Sequence, residues 1–277
     1  MVALLIVATF LVGGATWTHA GEGPAALGSL TPDQRRTYDR LFFNEAAVWQ
    51  HNSAAYDSRT SPGLFREMAI NGFKVAEIAP QLLVTGPTRD RVAVKTAIER
   101  LRQLAERGDT SAMCFMPLAW SRSVAEETFF DYDVMLTYTK RGAELGQPYC
   151  RLVVARLYGS GTAGFPKDLN RAMRMVREVA REGYYEAHVA LFKTYAERVP
   201  AYDDLDILRR TMCWGRLAQQ HSNWALFDWY TDRLGAFAVA NRRPDLLELK
   251  KEWDTRSSPI DVKRVTPDDC LAMEARN

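Results

Sequence analysis

Apolar residues along this chain return at helical spacing. Val94, Ile98, Leu101 and Leu104 do so in one stretch, and Met173, Val176 and Val179 in another, with charged residues between them. Steps of three and four residues place such side chains on one face of an α-helix. No stretch shows sustained alternation of apolar and polar positions, so essentially no sheet is expected. A longer period overlies the first. The pattern Ala-x-x-Gly-x-x-x-Ala occurs at Ala69, Gly72 and Ala76, at Ala105, Gly108 and Ala112, and at Ala180, Gly183 and Ala187. A further copy, Ala143 and Gly146, has Cys150 in the last place, and a weaker fifth has Ala218, His221 and Ala225. The first alanines are 36, 38, 37 and 38 residues apart. Scattered alanines and glycines do not keep such a phase.

Each copy reads as helix, turn, helix. The glycine suits the left-handed backbone position that ends a helix. Asp109, Ser111 or Pro148 just beyond it suit the opening of the next helix. The second small residue falls one turn inside that helix, where it lets neighbouring helices approach closely. Two such helices cannot bury their apolar faces alone, so the units must stack. The expected fold is all-α, an α/α solenoid of about five two-helix repeats over residues 61–242.

The ends differ from the repeats. Thr31-Pro32-Asp33 opens a helix through LFFNEAAVWQ, which is expected, within an N-terminal segment 21–60, to cap the open end of the solenoid. Arg243-Pro244-Asp245 opens a last helix, so residues 243–277 read as a C-terminal helix and a polar tail that Cys270 and Leu271 tie back to the body. Residues 1–20 are an apolar run ending in Thr18-His19-Ala20, with breakers after it. That is the pattern of a cleaved signal peptide, although no Lys or Arg precedes the run. A buried helix or an uncleaved anchor is the other reading. The run is shorter than the roughly 20 apolar residues a spanning helix needs, so no membrane span is expected after cleavage.

Lys plus Arg number 36 and Asp plus Glu 34, a net charge of +2. So even a balance supplies no general field for nucleic acid or an anionic membrane. Residues 159–164, Gly-Ser-Gly-Thr-Ala-Gly, fit G-x-G-x-x-G in letter only. They follow a helix where a dinucleotide site needs a strand, and they are expected to form an interhelical turn. His51, His188 and His221 lie beyond the apolar run, and none belongs to a metal or nucleophile signature. No catalytic, metal or cofactor residue is therefore assigned. Trp224, Phe227, Trp229 and Tyr230 have helical spacing and read as core.

The four cysteines are Cys114, Cys150, Cys213 and Cys270. Cys114 and Cys150 fall in equivalent helices of successive units, which stack side by side, so a bridge between them fits the repeat. Cys213 with Cys270 would then pin the tail. Free buried thiols are the alternative. Residues 121–133 join two helices with more length than the tight turns need. They combine Glu126, Glu127, Asp131 and Asp133 with Phe129, Phe130 and Tyr132. Rings framed by acids suit docking of a basic partner. Equally, the rings can pack on the solenoid while the acids favour the following helix N-terminus.

The segment from Arg141 to Glu197, with the signature stretch RGAELGQPYCRLVVARLYGSGTAGFPKDLNRAMRMVREVAREGYYEAHVAL, closely resembles the Sel-one-like repeat, a relative of the tetratricopeptide repeat. The helix ending AELG, the ARLYGSG end, the FPKD turn and the ending AREG carry the resemblance, which weakens away from this unit over roughly residues 60 to 240. It implies a right-handed α/α superhelix that binds proteins without catalytic residues or cofactors. Exported bacterial proteins of this kind recur as immunity proteins against type VI secretion effectors, often phospholipases. WGRLAQQHSNWALFDWYTDRL and TPDDCLAME resemble the C-terminal regions of such proteins. The resemblance thus implies a periplasmic inhibitor of a cognate toxic lipase-type effector, and the loop at residues 121–133, singled out by its rings and acids, is the candidate contact. A periplasmic scaffold or regulator of an envelope complex is the second expectation, and a hydrolase on a helical frame the third.

Overall fold

The computed structural model describes residues 30–51, 61–83, 90–123, 131–198, 203–221, 225–253 and 265–275. They form thirteen helices and no strand. The helix α1 (Pro32–His51) precedes five antiparallel pairs. These are α2 (Ser61–Ile70) with α3 (Lys74–Leu83), α4 (Arg91–Glu106) with α5 (Thr110–Ser123), α6 (Tyr132–Glu144) with α7 (Pro148–Ser160), α8 (Leu169–Arg181) with α9 (Tyr185–Ala196), and α10 (Leu205–His221) with α11 (Ala225–Ala240). Then come α12 (Pro244–Trp253) and α13 (Pro267–Glu274). Each helix of the stack packs on its neighbours in sequence. This is the expected all-α solenoid of five two-helix units. The apolar run at 1–20 and its cleavage point lie outside the described residues.

The turn within each unit follows from its glycine. Gly72, Gly108, Gly146 and Gly183 have φ between 83° and 90°, a region that a Cβ disfavours. Each glycine amide donates to the carbonyl of the motif's first alanine, Ala69, Ala105, Ala143 or Ala180, at 3.0 Å. The next amide reaches one residue further back in three of the turns: Phe73 to Met68, Asp109 to Leu104, and Gln147 to Gly142. Paired bonds of this kind satisfy the last carbonyls of the first helix. The next helix opens with Asp109 accepting from the Ala112 amide at 3.0 Å, or with Gln147 accepting from Cys150 before Pro148 at the first helical position. Ser111 takes no part in capping; it is buried and bonded to α1. Ala76, Ala112, Cys150 and Ala187 are all buried between helices.

Both cysteine pairs are bridged. Cys114 of α5 joins Cys150 of α7 across a Cα separation of 5.0 Å, and Cys213 of α10 joins Cys270 of α13 across 5.6 Å. The polar tail contains a helix of its own, α13. Thr266 caps it, with Asp269 reaching back to the Thr266 amide. A helix of eight residues is too short to hold itself in water, and the bridge to α10 anchors it. Residues 159–164 end α7 and form a turn, with left-handed backbone at Gly161, Ala163 and Gly164. Phe227 and Tyr230 are core, as their spacing implies, but Trp229 is 52% exposed, with the Arg233 guanidinium 4.7 Å from its ring centre. Two residues along a helix turn about 200°, so a face that buries 227 and 230 turns 229 outward. Trp224 lies outside the described residues.

Candidate interaction surfaces

Helix α1 does more than cover one end of the stack. Its residues meet successive units on successive faces. Tyr38 and Phe42 pack on Phe73 of the first unit, and Arg35 pairs with Asp109 of the second at 2.9 Å. Phe43 stacks on Tyr149 of the third at 4.4 Å. Asn44 bonds both the Gly183 carbonyl and the Tyr185 amide of the fourth. The units therefore curve around α1, which fills the inside of the bend. Its contacts include Phe73, Asp109, Gln147 and Tyr184, the residues that follow the four turn glycines.

Asp39 is the polar centre of this arrangement. Its carboxylate accepts from Ser111 Oγ at 2.5 Å, Gln147 Nε2 at 2.7 Å and, more loosely, Tyr184 OH at 3.4 Å. It thus touches three units at once. Burial raises its pKa to about 6, against the hydrogen bonds from Ser111 and Gln147 and the charge of Arg35, which lower it; Asp109 adds to the rise. Burial, with Asp39 beside it, also pushes the Tyr184 hydroxyl up. An open cleft of about 750 Å³ lies beside this cluster, walled by Arg36, Arg40 and Glu182 among others.

The folded protein thus holds the Asp39 proton more tightly than the unfolded chain, in which the carboxyl titrates near its ordinary value of 3.8. Stability from this group is present below pH 4 and is lost as pH rises through about 6. Asp39→Asn should flatten that fall. Between pH 4 and 7 the variant should gain on the parent by up to about 3 kcal/mol in urea unfolding. Parallel pH profiles would refute the raised pKa.

On another part of the stack, α6, α7 and α8 border a groove of about 430 Å³. Lys140 lies 4.9 Å from the centre of the Phe165 ring, and Arg171 lies 4.2 Å from that of Tyr158. The two rings meet edge to face at 4.9 Å. Glu144 is the acid on this lining, and Arg151 is paired with Glu178 and Glu182. Sequence periodicity did not single these residues out. Phe165 reaches Tyr158 because the backbone reverses at Gly161 and Gly164, so that the Asp168 amide returns to the Tyr158 carbonyl at 2.9 Å.

Next along the stack, α13 packs on α8 and α10. Its Glu274 pairs with the Arg177 guanidinium and accepts from Trp214 Nε1 at 3.0 Å, while Arg177 donates to Tyr195 OH at 3.0 Å. His188 is a packing residue: it is buried, stacks on Trp214 and shares a hydrogen bond with the Ala180 carbonyl.

Of the acidic and aromatic segment expected to contact a partner, Glu126, Glu127, Phe129 and Phe130 lie outside the described residues. Asp131 caps α6 by accepting from the Asp133 amide at 2.9 Å, and Asp133 lies in the first turn. Both acids therefore support that helix terminus. Tyr132 is exposed beside them. Among the described residues no three His, Cys, Asp or Glu side chains gather as a metal site, and no helix is long and apolar enough to cross a membrane.

No family model matches the chain, and no curated protein matches it. Among solved structures it is similar to the crystal structure of a Sel1 repeat protein from Oxalobacter formigenes. The two share 21% identity over 81% of this chain and 88% of that one, with a TM-score of 0.42. The fold assignment rests on the helices and turns described above.

Proposed function

We propose that this chain is a non-enzymatic, protein-binding repeat protein of the periplasm, and that it neutralises a toxic lipase-type effector of type VI secretion. The observation that carries the binding reading is the open groove between α6, α7 and α8. It displays ring faces and two cations that pair with no carboxylate among the described residues, on a frame of packed helices. Surfaces rich in aromatic and arginine side chains are the kind that anchor protein partners. The two disulfides support an oxidising compartment, in keeping with the apolar run at residues 1–20. The choice of an effector as partner rests on the sequence resemblance of the C-terminal region.

The test is a pull-down with the oxidised chain from residue 21 onward, against extracts containing the products of neighbouring genes. Recovery of a lipase-type toxin whose activity is lost in the complex supports immunity. Recovery of resident envelope components alone removes that reading in favour of the periplasmic scaffold.

A further inference from the structure

We infer that the groove between α6, α7 and α8 receives a carboxylate-bearing segment of the partner protein, seated as the chain's own α13 is seated one unit further along. The inference deepens the protein-binding reading above and rests on it. Its warrant is the register of the repeat. The turn glycines Gly146 and Gly183 are 37 residues apart, and the same step carries Lys140 to Arg177 and Tyr158 to Tyr195. Each groove therefore has a cation on the first helix of its unit and a tyrosine on the second.

The following unit adds a donor in both cases. In the α13 groove this is Trp214 of α10, whose Nε1 bonds Glu274. In the open groove it is Arg171 of α8. The occupied groove shows what the set selects: a short helix, anchored by a carboxylate that meets cation and indole together. The open groove offers two cations and a tyrosine without the indole, and has no such occupant among the described residues. Phe165 adds a ring face beneath Lys140. Arg151 is already neutralised by Glu178 and Glu182, so Lys140 and Arg171 are the cations left to an incoming acid, against Glu144 on the same lining. Charge complementarity then favours an acidic segment over a basic one.

A fluorescent peptide of residues 265–275 carrying Cys270→Ala serves as probe. In the oxidised chain the resident α13 is held covalently to α10, which leaves the open groove for the peptide. Anisotropy should saturate with weak affinity. Lys140→Glu with Arg171→Glu, both at exposed positions, should weaken binding by about tenfold or more. The peptide with Glu274→Gln should weaken similarly, and circular dichroism should confirm that the variant protein is folded. No saturation at millimolar peptide, or equal binding by the charge-reversed protein, overturns the inference whatever the pull-down recovers. Saturable, charge-dependent peptide binding beside an empty pull-down would keep the groove and remove the effector reading. A partner recovered equally by parent and variant would keep the binding reading and place the partner elsewhere.

Discussion

Phe42→Ala is expected to destabilise the protein by about 3–5 kcal/mol, the range for truncating a fully buried phenylalanine. The ring is buried completely and meets Phe43, Phe65, Phe73 and Phe115 at centroid distances of 5.1 to 5.5 Å. Those partners come from α1 itself and from the first two units, so the truncation leaves a cavity where α1 enters the bend. Leu41→Ala is the control. Leu41 is the preceding residue but 40% exposed, and its truncation should cost about 0.5 kcal/mol or less. Because α1 touches four units, the loss at Phe42 should shift the whole unfolding transition rather than fray one end. Equal, small effects in urea unfolding would show that α1 is not part of the folded core.

The second large effect concerns the bridge within the stack. Cys114→Ala with Cys150→Ala should cost about 4 kcal/mol on the chain-entropy view, since the bridge spans 36 residues. Alanine fits at both positions sterically; it is what the other units carry in place of Cys150. Gly142 on α6 faces both sulphurs, and a Cβ built there would come within 2.7 Å of Cys114 Sγ and closer still to Cys150 Sγ. Gly142→Ala should therefore destabilise the oxidised protein by about 1–3 kcal/mol through overpacking. In the cysteine-free background the sulphurs are gone. There the same change should be neutral or stabilising by up to about 1 kcal/mol, because alanine is the better helix former. Additive effects in this cycle would mean that Gly142 does not make room for the bridge.

The repeat was legible in the sequence because each part of it is local. An alanine carbonyl three residues before a glycine, and a glycine free to take positive φ, make a turn wherever they occur. Stacked units also put Cys114 and Cys150 on equivalent, neighbouring helices, which made a bridge plausible. Helix α13 was written in the same grammar, Thr266-Pro267-Asp268-Asp269, as the opening of α1, but its short length concealed it. The Asp39 cluster and the groove between α6, α7 and α8 were not legible. Asp39 and Gln147 are 108 residues apart, and nothing in either local pattern brings them together. Lys140 and Phe165 face each other only after the α7–α8 turn has folded back.

Sequence alone determined the all-α class, the two-helix unit and the turn glycines, which follow from periodicity and backbone preference; the cysteine pairing was one of two readings until the structure showed both bridges. The tertiary structure decided where α1 lies, and that one groove receives the chain's own acid while its neighbour holds no such occupant among the described residues. Those outcomes depend on how the units curve. That curvature is set by packing between side chains distant in sequence, which no local pattern encodes.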